Sequence, residues 1–523
     1  VREPSPERAS ESRERVVAAS VIVGGVLLYA QSIGFETTWD DGHTVRHHPG
    51  VTGAFSLREI FGRGFWGHRL GDPAAVGTYR PLVTLSYWID GHLAHGFWLH
   101  HLTNLLWLGA VLLLAHRLAS SFPTLGARGA TWVTAAFAAL AIHTDVVPSI
   151  TGRAELMAAT GVLGALTLAR VGGRRALAWA LPTTLLLAMA CKESALPMAL
   201  AAGWLALRRD DISPRWRWGA ALGAQVPLLA TLAFRHGRLP LVVDERFAVS
   251  NPLIVAPRAL RWAGVGESWL TYLGHLLFPI DLSPDYGWSA VHPSIGASAL
   301  IGWLSLVGLG GAMAWCWRRS PAIAEAIGLL FASYVTIGHF VAPSSAFVAD
   351  RTFFLPSYFL CLLVGLGISA GARRLSAARK LLPLLGGVFV LSQAALTVLS
   401  VPRWRNDETL SRSAVIAYPT NVRMLTYRGE VLHALGRPEE AAWAYVLVGV
   451  ALDRFPSPLA DEAAHLETFG GPDAERLGVL DREVGRGALL RGLGRAHDAL
   501  VESRFRDSAA VVARWTDSLR TTR

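Results

Sequence analysis

Two adjacent carboxylates, Asp40 and Asp41, lie in the stretch 37-TTWDDGHTVRHHP-49, directly after an apolar run. Like charges side by side disfavour each other's ionisation, and low-dielectric lipid raises that cost, so something nearby must compensate them. Ionisable residues recur beside other apolar runs, in 78-TYRP-81, 143-HTDVVPSITGRAE-155, 191-CKES-194, 282-LSPDYGW-288 and 344-SSAFVADR-351. Lys192 stands out: of the 49 basic residues only Lys192 and Lys380 are lysine. A compact ammonium there can act as a point-charge partner for a phosphate, or neutralise Glu193.

The elements that position these residues are membrane helices. With 523 residues, 52% hydrophobic and 17% charged, the chain is too apolar for an ordinary soluble protein. Cys191, Cys316 and Cys361 sit within apolar runs, which excludes a disulfide framework or a cysteine metal site. The net charge of +10 punctuates the hydrophobic segments instead of gathering on one soluble surface, which argues against nucleic-acid binding.

After a polar tail at 1–15, residues 16–35 have the length of a retained first span. Further spans are expected near 99–116, 130–147, 154–169, 176–191, 195–207, 217–234, 297–317, 322–341, 352–371 and 381–401. The proline- and glycine-broken segment 251–280 could be one span, a hairpin pair or an interfacial helix followed by a span. The expected fold is all-α, a polytopic bundle of about 11–13 spans over 16–401, followed by a soluble helical region at 402–523.

Arginine clusters at Arg117 and Arg128, Arg170 to Arg175, Arg208 to Arg217, Arg318 and Arg319, and Arg373 to Lys380 mark cytoplasmic turns. The N-terminus is then cytoplasmic, and the long loop 36–98 and the region after 401 lie outside. That alternation requires zero or two crossings in 251–280. It also puts the ionisable clusters named above on one side, and intramembrane or juxtamembrane polar residues mark substrate paths. Each cluster alone has a structural reading, as a solvated or snorkelling helix end.

These stretches carry a resemblance. WDDGHTV with HHPGV, FWG, YRPL, FWLHHLTNLLWL, IHTDVVPSITGRAELMA, CKESALP, NPL at 251–253, LLFPIDLSPDYGW and FVADRTFFLPSY, in this order, resemble the transmembrane and tetratricopeptide-repeat-containing O-mannosyltransferases of the GT-C superfamily. The resemblance runs over roughly residues 20–450. It implies a polyprenyl-phosphate-linked sugar as donor, a hexose such as mannose, and a protein or glycan hydroxyl as acceptor at the outer face. It also implies a first-loop carboxylate as general base, a place taken by Asp40 or Asp41 with a slight preference for Asp40. An alcohol needs such a base as it attacks, and the departing lipid phosphate needs cations.

Arg80, Arg153, Lys192 and Arg351 are the candidate phosphate ligands. Glu155 and Asp285 orient hydroxyls or pair with those arginines. The family's glutamate before the last arginine is Asp350 here. No cofactor is called for; some GT-C enzymes use a divalent ion and others do not. His43, His47 and His48, and His100 at helical spacing from Asn104, lack the further ligands a metal needs.

The tail at 419–456 reads as two amphipathic helices joined at Leu435-Gly436-Arg437, with Gly429, Gly436, Ala441 and Tyr445 resembling a tetratricopeptide repeat. One repeat cannot bury its apolar face, so the tail must stack further helix pairs or lean on the bundle. Scarce lysine and abundant alanine favour a bacterial inner membrane with these parts periplasmic; in a eukaryote they would be lumenal. The competing readings are a lipid-linked-sugar carrier and a non-catalytic scaffold whose tail recruits partners. A carrier predicts internal repeats and polar residues near helix centres.

Overall fold

The computed structural model of the 523-residue chain describes residues 6–72, 77–239, 247, 250–287, 290–291, 293–372, 378–437 and single positions between 440 and 517. Its helices are α1 Pro6–Leu27, α2 Pro49–Thr52, α3 Leu57–Phe61, α4 Pro81–Leu93, α5 Trp98–Ser120, α6 Gly126–Ala139, α7 Arg153–Val171 and α8 Leu181–Met189. They continue as α9 Met198–Leu207, α10 Pro214–Arg235, α11 Arg258–Leu277, α12 Ala297–Arg319, α13 Pro321–Tyr334, α14 Phe354–Ala372, α15 Ala378–Ser400, α16 Asp407–Ala417 and α17 Val422–Ala434. The protein is all-helical among the described residues.

Six helical segments are long and apolar enough to cross a membrane, Glu11–Gly34, Trp98–Ser120, Arg153–Val171, Ala297–Arg319, Asp350–Gly371 and Leu381–Trp404. Shorter apolar helices, Ala176–Met189, Glu193–Leu207 and Pro321–Tyr334, pack among them. Backbone groups in lipid must bond internally, so apolar runs of this length become helices. Proline stands at the start of α10 and α13, where its missing N–H costs nothing, and arginine closes α7 and α12, facing the negative end of the helix dipole.

The bundle has two chemically different ends. At one, Arg170 and Arg208 both grip Glu325, and Arg170 and Arg208 lie over the rings of Phe122 and Trp317. Arg209 with Asp211, and Arg128 with Glu14, lie at the same end of their helices. The other end carries the connections after α1, α6, α8, α10 and α13, and with them Asp40, Asp41, Asp145, Glu193, Asp285 and Asp350. The arginine turns and the acidic loops therefore occupy opposite ends.

Segment 251–280 resolves into the single helix α11. Before it, Ser250 accepts from the Phe347 N–H and Asn251 donates to the Ser344 carbonyl; near its end His275 bonds Asp350. Both flanks thus meet the same 344–350 stretch, and the segment is one helix and not a hairpin pair. The segment expected to span 130–147 stops at Ala139: Leu140 turns to ψ 119°, and a 3-10 turn over Ala141–Asp145 brings Asp145 into the acidic end. The tail's second helix is described only at single positions, and everything from 452 to 512 lies outside the described residues.

The α11–α12 contact is set by glycine. A Cβ on Gly302 would stand 1.8 Å from the Gly266 carbonyl oxygen, so only hydrogen fits between these backbones. Gly302→Ala is expected to lower stability by about 1–3 kcal/mol through forced separation of the helices, read as a lower unfolding temperature in detergent. An unchanged value would show that the two helices part freely.

Candidate active site

Asp41 has no exposed surface. Its Oδ2 accepts the Thr38 N–H at 3.0 Å and the Ile150 N–H at 3.4 Å, and its Oδ1 accepts the Thr151 N–H at 2.8 Å. The side chain therefore closes its own turn and ties the first loop to the connection before α7. Burial pushes the Asp41 carboxyl up to about 6, against the pull of those N–H donors.

Asp40 faces the other way. Its side chain is 23% exposed, and its Oδ2 lies 3.9 Å from an Arg351 terminal nitrogen. Arg351 is shared: Nη1 is 3.5 Å from Asp145 and donates to the Pro284 carbonyl at 3.1 Å, while its backbone N–H donates to Asp145 at 3.0 Å. Burial pushes Asp145 up to about 7, although Arg351 pulls the other way. Asp350 turns from the cleft, accepting from Tyr286 and meeting His275 Nδ1 at 2.8 Å. A narrow cleft beside this group is lined by Thr144, Asp145, Ser283, Pro284, Arg403 and Trp404.

The other cations are held at different strengths. Arg80 lies over the Phe65 ring and donates to Glu193 at 3.1 and 3.2 Å, with Arg235 3.6 Å from the same carboxylate. Lys192 is buried and pairs with Glu155. Its neighbour Glu193 pairs directly with the two arginines, while its charge also acts on Lys192. Burial, with Arg80 next in weight, holds Lys192 well below the usual lysine range. Arg153 is fully buried and committed to Asp90 at 2.6 Å, Asn104 at 2.9 Å, the His100 carbonyl at 2.7 Å and Ser86 at 3.1 Å. That places Arg153 in the packing between α4, α5 and α7, away from Asp40.

Asp285 forms no direct ion pair with the four expected cations, although its charge acts on nearby Arg351. It accepts from Arg423 at 2.6 Å, and Asn421 of the tail donates to its carbonyl at 2.9 Å. The α16–α17 pair thus leans on the acidic end of the bundle. Among the described residues no group of three or more His, Cys, Asp or Glu is close enough to hold a metal ion.

Several proteins named protein O-mannosyl-transferase align along most of this chain. One from Caenorhabditis elegans is 24% identical over 442 residues, 80% of this chain and 60% of its own length. One from Drosophila melanogaster is 27% identical over 557 residues, 84% and 62%, and one from mouse 24% over 473 residues, 78% and 63%. The chain is protein O-mannosyl-transferase-like. It spans about three fifths of the length of these relatives. No family profile and no solved structure matches it.

Some partners at this acidic end were not singled out by sequence reasoning: Asp90, Asp145, Arg235, Asp407, Arg423 and Tyr427. Asp90 and Asp145 had a usable signal, a carboxylate within an apolar stretch. The tail residues had none, because their contacts join segments far apart in sequence.

Raised carboxyl pKa values at Asp41 and Asp145 have a defined consequence. The folded chain holds these protons more tightly than the unfolded one, so their stabilisation is complete below about pH 4 and is lost as pH rises through about 6 to 7. The unfolding temperature in detergent is expected to fall over that interval, less so in Asp145→Asn; a rise would contradict the assigned burial. Asp41→Ala leaves the Thr38, Ile150 and Thr151 N–H groups without their acceptor, at an expected cost of about 2–5 kcal/mol. Asp40→Ala, measured the same way, should cost under about 1 kcal/mol.

Proposed function

We propose that this chain is an integral-membrane glycosyltransferase of GT-C type that moves a sugar, a hexose such as mannose, from a polyprenyl-phosphate carrier to an acceptor hydroxyl. The reaction takes place at the membrane face opposite the arginine turns. The observation that carries this reading is the division between the two adjacent aspartates. Asp41 is consumed by backbone N–H groups, whereas Asp40 keeps its carboxylate partly exposed, 3.9 Å from the Arg351 guanidinium.

In the proposed step the acceptor O–H approaches Asp40, its oxygen attacks the anomeric carbon, and the proton passes to the Asp40 carboxylate. The bond from the anomeric carbon to the phosphate oxygen breaks, and polyprenyl phosphate leaves with the electron pair. A single displacement of this kind inverts the anomeric centre. Arg351 is the cation nearest Asp40 and takes charge developing on the phosphate; Lys192 and Arg80 lie deeper, each already sharing a carboxylate. Arg351, already divided between Asp40 and Asp145, can turn toward a phosphate at less cost than a cation sealed in a buried pair. The names of the relatives support a protein hydroxyl as acceptor, and the tail beside the cleft is suited to present one.

Asp40→Asn is expected to lower kcat for transfer of labelled mannose from polyprenyl-phosphate-mannose by about 10²–10⁴-fold. Accumulation and unfolding temperature should stay near wild type. Full transfer by that variant would remove Asp40 from the chemistry. Arg351→Lys, which keeps the charge and loses the fork, should raise the donor KM more than it lowers kcat.

A further inference from the structure

Trp39 has φ 50°, a left-handed backbone conformation that a bulky residue adopts only where its surroundings compel it. The compelling contact comes from the C-terminal helices. The Trp39 N–H donates to Asp407 Oδ1 at 3.0 Å and to the Tyr427 hydroxyl at 3.2 Å, and Tyr427 in turn donates to Asp407. The Trp39 ring packs edge-on against Tyr427 with centroids 4.4 Å apart, and Arg423 lies 5.2 Å from its centre. Alongside, the Glu36 N–H donates to the Arg405 carbonyl and Gln31 to the Val398 carbonyl.

Asp407 is itself rigidly placed. It is the first residue of α16, directly after Asn406, which forms a reciprocal capping box with Thr409. The residue between Trp39 and Asp41 is therefore suspended between two anchors from distant parts of the chain. One is the Asp41 carboxylate on the N–H groups of residues 150 and 151; the other is the Trp39 N–H on Asp407.

We propose that Asp407 is a positioning residue for sugar transfer: by holding the Trp39 N–H it fixes the turn that aims the partly exposed Asp40 carboxylate toward Arg351. The tail thus completes the site in addition to whatever it presents to it. This rests on the reading of Asp40 as base. Freed from Asp407, Trp39 relaxes to negative φ and the next side chain swings away, and misplacement of a reacting group by about 1 Å can cost on the order of 100-fold in rate.

The test uses the full chain in proteoliposomes, with labelled polyprenyl-phosphate-mannose as donor and a membrane-extract protein fraction as acceptor. Asp407→Ala is expected to lower kcat about ten-fold or more with donor KM within about two-fold. Asp407→Asn, which retains an oxygen acceptor, should stay within about three-fold of wild type. Wild-type kcat in Asp407→Ala, or equal losses in the Ala and Asn variants, would overturn the proposal. If Asp407→Ala does not accumulate, Asp407→Ser serves instead: its shorter side chain draws the oxygen back from the Trp39 N–H, and an unchanged kcat would overturn the proposal equally. Asp40→Asn run alongside separates the two ideas, since activity there would count against the base while leaving the Asp407 comparison to be read on its own.

Discussion

The buried Asp41 carboxylate is the interaction on which the acidic end of this protein depends. An ionised or ionisable group without exposed surface is stable only when its lone pairs are filled, and here backbone N–H groups from two separate loops fill them. The same bonds decide what the neighbouring residue can do. With Asp41 drawn inward, Asp40 must point outward, and the left-handed turn at Trp39 sets its direction. A pair of adjacent carboxylates thus becomes one structural and one available group, which resolves the mutual repulsion that their adjacency raises.

Charge compensation organises the rest of that end. Arg153 is locked into Asp90, Lys192 into Glu155, and Arg80 with Arg235 into Glu193. Buried ions tolerate no loss of a partner, so these pairs hold α4, α5, α7, α8 and α10 in register. Arg351 differs in degree. It divides itself among Asp40, Asp145 and the Pro284 carbonyl, keeps 31% of its side chain exposed, and leaves its longest contact toward Asp40. A cation with divided, partly solvated contacts can accept a further anion at less cost than one sealed in a buried pair.

The sequence made the helices legible because lipid allows little else: an apolar run of span length must become a helix, and arginine-rich turns mark one face. The end of α6 was not legible, since 140–147 is apolar enough to continue and only the turn at Leu140 shows that it does not. Segment 251–280 was ambiguous for the same reason, and it folds as a single helix with both flanks bonded to one loop. Within the site, the motif residues were visible but their partners were not. Nothing in CKES tells that Lys192 and Glu193 pair directly with different residues, and nothing near Trp39 announces an acceptor 368 residues away. Residue types carry chemistry in the sequence; the pairing of charges emerges only from packing.

The proposed reaction requires the acidic end and the helical tail to share one side of a membrane while the arginine turns face the other. Single cysteines introduced at exposed positions, Ala54→Cys and Arg412→Cys at one end and Thr124→Cys at the other, would report this with Cys191, Cys316 and Cys361 replaced by alanine. Labelling of intact cells with a membrane-impermeant maleimide should modify the cysteines at 54 and 412 and spare that at 124 until the cells are permeabilised. Labelling of 124 alone in intact cells, or of 54 and 412 on opposite sides, would contradict the account.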